Sequence, residues 1–220
     1  MTRPISQTRF RLLMLAFALV LGFQAMWIIL PETIRPGPIH LSFDKRAAAS
    51  AQLQRSKAAW AASLGSVRGD LWADNALTYA DLIWTGNPEQ EARASAQRAL
   101  TYSPHRADVW LLLATLNSRF DGTALQAASA LKMSYYTGPN EISLFPLRFF
   151  VSFRSQALDD IELQDMVRRD IRMVITRKPD LKPDLIIAYK NASPENRKFV
   201  DQAIAEVDST FLASVRAGLR

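Results

Sequence analysis

The chain has 220 residues, a net charge of +6 and no cysteine. The missing thiols exclude disulfides, a cysteine nucleophile and cysteine-ligated metal, and the two histidines, His40 and His105, are too few and too far apart for a zinc centre, so no cofactor is expected. Half of the positive charge belongs to Arg3, Arg9 and Arg11; beyond them acids and bases alternate, as on a solvated helical surface and unlike the concentrated basic face of a nucleic-acid binder.

Residues 12–30, LLMLAFALVLGFQAMWIIL, carry no charge, with Gln24 the one strongly polar side chain among them. That length of apolar helix crosses a bilayer once. The arginines before it place residues 1–11 in the cytoplasm, Trp27 lies near the outer interface, and Pro31 is expected to end the helix. A cleaved signal peptide competes with this reading. Cleavage after Ala25 would put Phe23 at the −3 position, which requires a small residue, and the apolar run continues past it, so an uncleaved anchor is expected. A buried core helix is the third reading; an uncharged run of this length at the N-terminus speaks against it. The expected location is a bacterial inner membrane, single-pass, with the bulk of the chain periplasmic.

Residues 31–43, PETIRPGPIHLSF, hold three prolines and read as an extended connector that spaces the outer body from the bilayer. Residues 44–220 form one domain by length, rich in Ala, poor in Gly, and helical in texture. Ser42 or Asp44 is expected to cap a helix over 45–64 that Gly65 ends, and Asp70 to cap the next, over 71–84. Capping accounts for Arg68-Gly69-Asp70, which also matches the integrin-binding tripeptide. Helices over 89–102 and 107–119 follow.

A 35-residue offset relates Ala92 to Ala127, Ala99 to Ser134 and Pro104 to Pro139. Between the copies lies ADVWLLLATLNSR, a helix with Trp110, Leu113 and Ala114 on one face. Trp110, Leu113, Ala114, Ala127, Leu131, Ser134 and Pro139 resemble the signature of the tetratricopeptide repeat, and Ala92, Ala96, Ala99 and Pro104 fit the second half of a preceding copy. The likeness covers residues 71–139. Asn117 stands where the pattern has an aromatic, one residue is inserted around Asp121-Gly122, and the preceding copy has no tryptophan at its first signature position, Ala76.

Beyond Pro139, helices over 142–153 and 161–176 read as an antiparallel pair, with Pro146 either in the first turn or at a kink. A short helix over 183–190 follows. Ser193-Pro194 starts a long terminal helix over 194–216, whose stripe of Phe199, Ala203, Val207, Phe211 and Val215 suits a solenoid cap. The expected fold is therefore all-α: one N-terminal transmembrane helix followed by a short TPR-like helical-hairpin solenoid.

No catalytic constellation emerges. Asp159, Asp160 and Glu162 read as charges favoured at a helix N-terminus; no phosphate loop, nucleophile elbow or HExxH helix is present. Arg168, Arg169, Arg172, Arg177 and Lys178 read as surface charge balanced by Asp165 and Asp170, with acidic polymer or lipid headgroups as the other reading. Tyr135, Tyr136, Phe145, Phe149, Phe150 and Phe153 read as core, or as the lining of a peptide groove.

These readings give a non-catalytic, membrane-anchored scaffold or adaptor that binds a protein partner in or near the inner membrane, contacts lipid through residues 12–30, and engages neither nucleic acid nor an evident small-molecule substrate. A complex for cell-surface polysaccharide assembly or export is one such setting by architectural analogy. The alternative is an envelope enzyme, a wall-polymer hydrolase without a recognisable motif. The repeat resemblance implies partner-binding positions on helix 107–118: Asp108, Leu111, Thr115 and Ser118, with Arg119 at the edge.

Overall fold

A computed structural model describes residues 7–37, 39, 48–80, 82, 89–120 and 122–217. Among these every regular element is helical. The expected caps at Ser42 and Asp44, together with His40 and Asp121, lie outside the described residues.

Helix α1 spans Gln7–Ile34, and its Arg9–Ile34 stretch is long and apolar enough to cross a membrane. Its side chains from Arg9 to Leu30 are exposed to the surroundings of the chain. Pro31 does not end it. The proline ring fits a helical φ and removes only one hydrogen bond, and the next rung is intact, with the Arg35 amide donating to the Pro31 carbonyl at 2.9 Å.

The first residues of the expected connector are not a spacer either. Pro31 and Pro36 are buried, and Arg35 fastens the end of α1 to the body. Its Nε donates to Asp74 Oδ2 at 2.6 Å, and its Nη1 reaches Asp70 at 3.1 Å and Glu32 at 3.2 Å. Arg68 joins the same cluster, reaching Glu32 at 2.8 Å and Asp70 at 2.7 Å. Five charged groups shared between α1 and the body make a network, which resists screening and fraying better than an isolated surface pair.

Helices α2 (Ala48–Leu64) and α3 (Gly69–Leu77) meet through Ala61, Ala62, Leu71 and Trp72. Helix α3 begins two residues earlier than expected. Arg68 takes the cap position with an extended backbone, and Asp70 lies in the first turn, where the helix dipole favours a carboxylate. The helix ends at Leu77, short of residue 84.

Helix α4 (Glu89–Tyr102) runs antiparallel to α3, so that Gly69 lies against Ala99 and Ser103. A Cβ at Gly69 would stand 2.9 Å from the Ala99 carbonyl and 2.8 Å from the Ser103 Cβ. Gly69→Ala is therefore expected to cost about 1–3 kcal/mol by forcing the two helices apart, read as a lowered midpoint in thermal denaturation. An unchanged midpoint would show that the hairpin opens freely.

Helices α5 (Ala107–Arg119) and α6 (Ala124–Thr137) form a second antiparallel pair, with Gly138 against Ala107 at one end and Asn117 bonded to the Gln126 carbonyl at the other. The two pairs begin alike. Arg68 and Arg106 both hold the cap position and clasp the acid two residues on, Asp70 and Asp108. Trp72 and Trp110 both donate their indole N–H to a carbonyl six residues back, that of Ser66 at 2.9 Å and of Pro104 at 2.8 Å. Trp72, not Ala76, is thus the counterpart of Trp110. The starts of the pairs correspond at an offset of 38 and their second helices at 35, so the first pair holds three extra residues between Trp72 and Ala92.

Helices α7 (Phe145–Arg154) and α8 (Ile161–Arg177) come next, and Pro146 sits harmlessly in the first turn of α7. Phe145, Phe149 and Phe153 are buried along one face of α7, and the last two rings stack at 5.6 Å. Asp160 caps α8 through the Leu163 amide and pairs with Lys132 at 2.8 Å. Helix α9 (Lys182–Lys190) packs on α7.

The expected long terminal helix is two, α10 (Pro194–Ala205) and α11 (Ser209–Ala217). Asp208 ends the first and starts the second. Its carboxylate accepts from the Phe211 amide at 2.9 Å and the Thr210 hydroxyl at 2.6 Å, an N-cap arrangement that competes with continuing the helix. The apolar stripe survives in two pieces: Ala203 and Val215 are buried, while Phe199, Val207 and Phe211 pack half-buried on the core.

Candidate functional site

The ends of α5 and α7 and the start of α6 surround a groove in two connected parts. One is lined by Thr115, Ser118, Arg119, Phe150, Val151, Arg154 and Ser155, with a volume near 130 Å³. The other, near 190 Å³, shares Ser118, Arg154 and Ser155 with it and extends to Asn117, Gly122, Thr123 and Gln156. The floor is Val151 and Ala127; the walls are hydroxyls and amides.

Its two arginines close helix C-termini, where the dipole favours cations. Each lies over a ring, Arg119 over Phe120 at 5.9 Å and Arg154 over Phe150 at 4.9 Å. Ring contact helps hold the guanidinium planes over the rim.

Of the five positions implied by the repeat resemblance, Ser118 and Arg119 stand exposed on this groove, and Thr115 lies buried behind them with its hydroxyl donating to the Leu111 carbonyl at 2.8 Å. Leu111 is fully buried in the core and cannot touch a partner. Asp108 sits a helix length away, bound to Arg106 at 2.6 Å. A helix turns 100° per residue, so positions chosen for one concave face inevitably include some that α7 covers here. Phe150, which the sequence offers as core or as groove lining, stands on this groove; the lining residues missed are Val151, Arg154 and Ser155, which come from an element outside the repeat-like segment. Arg154 at the end of a helix beside a solvent-side aromatic was the available signal.

Asn117, the departure from the repeat pattern, has a clear role. It is buried, accepts from Arg93 on α4 and donates to the Gln126 carbonyl on α6 at 3.3 Å. A polar bridge across three helices replaces an aromatic contact. Gly122 beside it permits the chain to pass the Asn117 backbone, which a Cβ would strike.

Behind the groove lies a buried polar cluster. Arg148 on α7 is wholly enclosed. Its Nη2 donates to the Ser134 carbonyl at 2.5 Å and the Gly138 carbonyl at 2.9 Å, and its guanidinium lies 4.4 Å from the Tyr135 ring centre. It thereby adds a second donor to two carbonyls at the C-terminus of α6, which also accept from the Gly138 and Glu141 amides at 3.2 Å.

Asp170 on α8, expected to balance surface arginines, is instead buried near this cluster; Asp165 alone pairs with Arg168, at 3.2 Å. Asp170 and Tyr135 share a cleft with Tyr136, Pro139, Met166 and Arg169, and neither the Tyr135 hydroxyl nor Asp170 Oδ2 makes a well-formed hydrogen bond. Burial pushes the Asp170 carboxyl up to about 7, with Arg148 and Tyr135 offsetting only part of that.

Among the described residues no three His, Cys, Asp or Glu side chains converge as metal ligands. His105 lies exposed in the turn between α4 and α5. No protein-family model, no curated protein and no solved structure matches this chain.

Proposed function

We propose that this protein is a membrane-anchored scaffold without catalysis, in which the helical body, on the periplasmic side of a bacterial inner membrane, docks a protein partner in an envelope complex. The observation that carries this reading is the groove between α5, α6 and α7: small, polar-walled, flanked by Arg119 and Arg154, and built on helix ends. The matched starts of α3 and α5 support a hairpin-repeat body of the tetratricopeptide kind, whose usual work is to present such surfaces to peptides. The docking of α1 onto the body through Arg35 supports a tether whose reach is short. A partner held in the same membrane then meets the groove at high effective concentration.

The test is site-specific photo-crosslinking in cells. A photoreactive residue at Ser118 is expected to trap a discrete protein band, and one at Ala213, exposed on α11, is not. Ser118→Trp, which fills the groove from an exposed position, is expected to abolish capture by a probe at Arg154 while leaving the circular dichroism spectrum unchanged. Equal trapping at Ala213, or none at Ser118, would remove the docking proposal.

A further inference from the structure

The first helix of the body, α2, exposes a face that the other described residues leave uncovered. Leu53 and Trp60, two helical turns apart, stand on one line and are 63% and 66% exposed. That line lies opposite the buried Ala58, Ala61 and Ala62. Val67, in the turn that follows, is 65% exposed. The only charged residues of α2 are Arg55 and Lys57; it has no acid. Lys57 stands between Leu53 and Trp60 in sequence, four residues after one and three before the other, on the same side of the helix.

The position of this face relative to α1 identifies what covers it. Helix α2 packs on α3 through its alanines and also touches α1. The turn at its end lies beside the anchor, where Arg68 lines an open, apolar cleft of about 540 Å³ with Ile28, Ile29, Glu32 and Thr33. Ile28 and Ile29 belong to the apolar span, so the Gly65–Arg68 turn stands level with the last turn of that span. Glu32, Arg35, Arg68 and Asp70 then form a charged ring at headgroup height.

We infer that α2 and the turn after it lie against the outer leaflet of the bilayer crossed by α1, with Val67 and Trp60 seated at the interface and Lys57 among anionic phospholipid headgroups. The inference rests on α1 occupying the bilayer. Its physical basis is the preference of indole and of long basic side chains for the headgroup boundary, combined with an apolar face that would otherwise meet water. A helical array exposes apolar surface at its ends unless something caps it, and the membrane serves here as the cap for the anchor end. The consequence for function is a fixed orientation: the groove is held at a set height and direction above the lipid.

The absence of native cysteine makes the test direct. Single substitutions Trp60→Cys, Val67→Cys, Ser118→Cys and Leu19→Cys in the whole chain are labelled with an environment-sensitive fluorophore and reconstituted into phosphatidylglycerol-containing liposomes. Nitroxide lipids labelled near the headgroup are expected to quench most of the emission at positions 60 and 67 and none at 118. Lipids labelled deep in the acyl chain are expected to quench position 19. Quenching at 19 but not at 60 and 67 overturns the surface inference and leaves the anchor standing. No quenching at 19 overturns the anchor, and the surface inference with it. Shielding of 60 and 67 from aqueous iodide without nitroxide quenching assigns the face to another protein or a second copy, and also overturns the inference.

Discussion

Replacing Arg148 by alanine is expected to destabilise the body by about 3–5 kcal/mol and to lower its thermal midpoint by roughly 8–15 °C. Three losses combine. The carbonyls of Ser134 and Gly138 keep their backbone donors but lose a second, charged one, each at a cost of about 0.5–1.5 kcal/mol. The Tyr135 ring loses a cation 4.4 Å from its centre. A long side chain with no exposure leaves a cavity between α6 and α7.

Arg148→Met separates these contributions. Methionine fills most of the volume and removes the cost of enclosing a charge, so it is expected to be less damaging than alanine, yet still less stable than the parent because each carbonyl keeps only its backbone donor. Lysine keeps the charge but cannot span two carbonyls and lie flat on the ring, so it should recover only part of the loss. Urea melts of the detergent-solubilised chain, followed by circular dichroism, measure all three. A methionine variant as stable as the parent would mean that the guanidinium merely breaks even. Because α7 also carries Phe150, Val151 and Arg154, the alanine variant should loosen the groove and weaken crosslinking from Arg154.

What the sequence displays well is what depends on neighbours along the chain. The apolar run of α1, the bounds of α4 and α5, and Ser193-Pro194 as the start of α10 are all local signals, and they agree with the structure. Errors came where two local signals compete or where a distant group decides. Pro31 is a helix breaker by composition, but Arg35 and Glu32 hold the helix on to Ile34. Asp208 with Ser209 and Thr210 reads as an unremarkable stretch within an apolar periodicity until its carboxylate turns back on the Phe211 amide.

Ala76 stands 34 residues before Trp110, whereas the residue that matches Trp110 in its bonds, Trp72, stands 38 before it, because three extra residues between Trp72 and Ala92 shift the start of the first pair against its second helix. Only the matched bonds of Trp72 and Trp110 reveal the correspondence. The groove was half visible: Thr115, Ser118 and Arg119 follow from the repeat pattern, whereas α7 is brought to them by the core packing of its phenylalanines. Arg148 and Asp170 were invisible, since nothing local distinguishes a buried ion from a solvated one. Charged residues are usually exposed.

Asp170 makes the stability of the body depend on pH in a direction opposite to that of most carboxylates. Its folded-state carboxyl is raised to about 7 by burial, whereas in the unfolded chain it titrates near 3.8. Between those values the folded state binds one proton more than the unfolded state, so stability falls as pH rises. The contribution is complete below the unfolded value and lost once the pH has passed through about 7. A shift of this size sets a ceiling of about 4 kcal/mol.

Groups pulled the other way, such as Asp160 beside Lys132 and Asp208 bonded to Thr210, titrate at more acidic pH and do not contribute to this window. Asp170→Asn keeps the shape and removes the titration. The asparagine variant is expected to match the parent near the acid end of the window and to exceed it by about 2–4 kcal/mol in mildly alkaline buffer, where the parent must hold a buried carboxylate. Of the groups facing the site, Arg169 on the same helix, Tyr135 from α6 and Arg148 from α7, burial raises the Tyr135 hydroxyl well above this range, and all three are common to both proteins in the comparison. Two stability curves that run parallel from acid to alkaline pH would show that the Asp170 carboxylate is already ionised throughout, held by Arg148 as a buried ion pair. In that case the asparagine variant would be the less stable of the two at every pH, and the sign of the difference alone decides between the accounts.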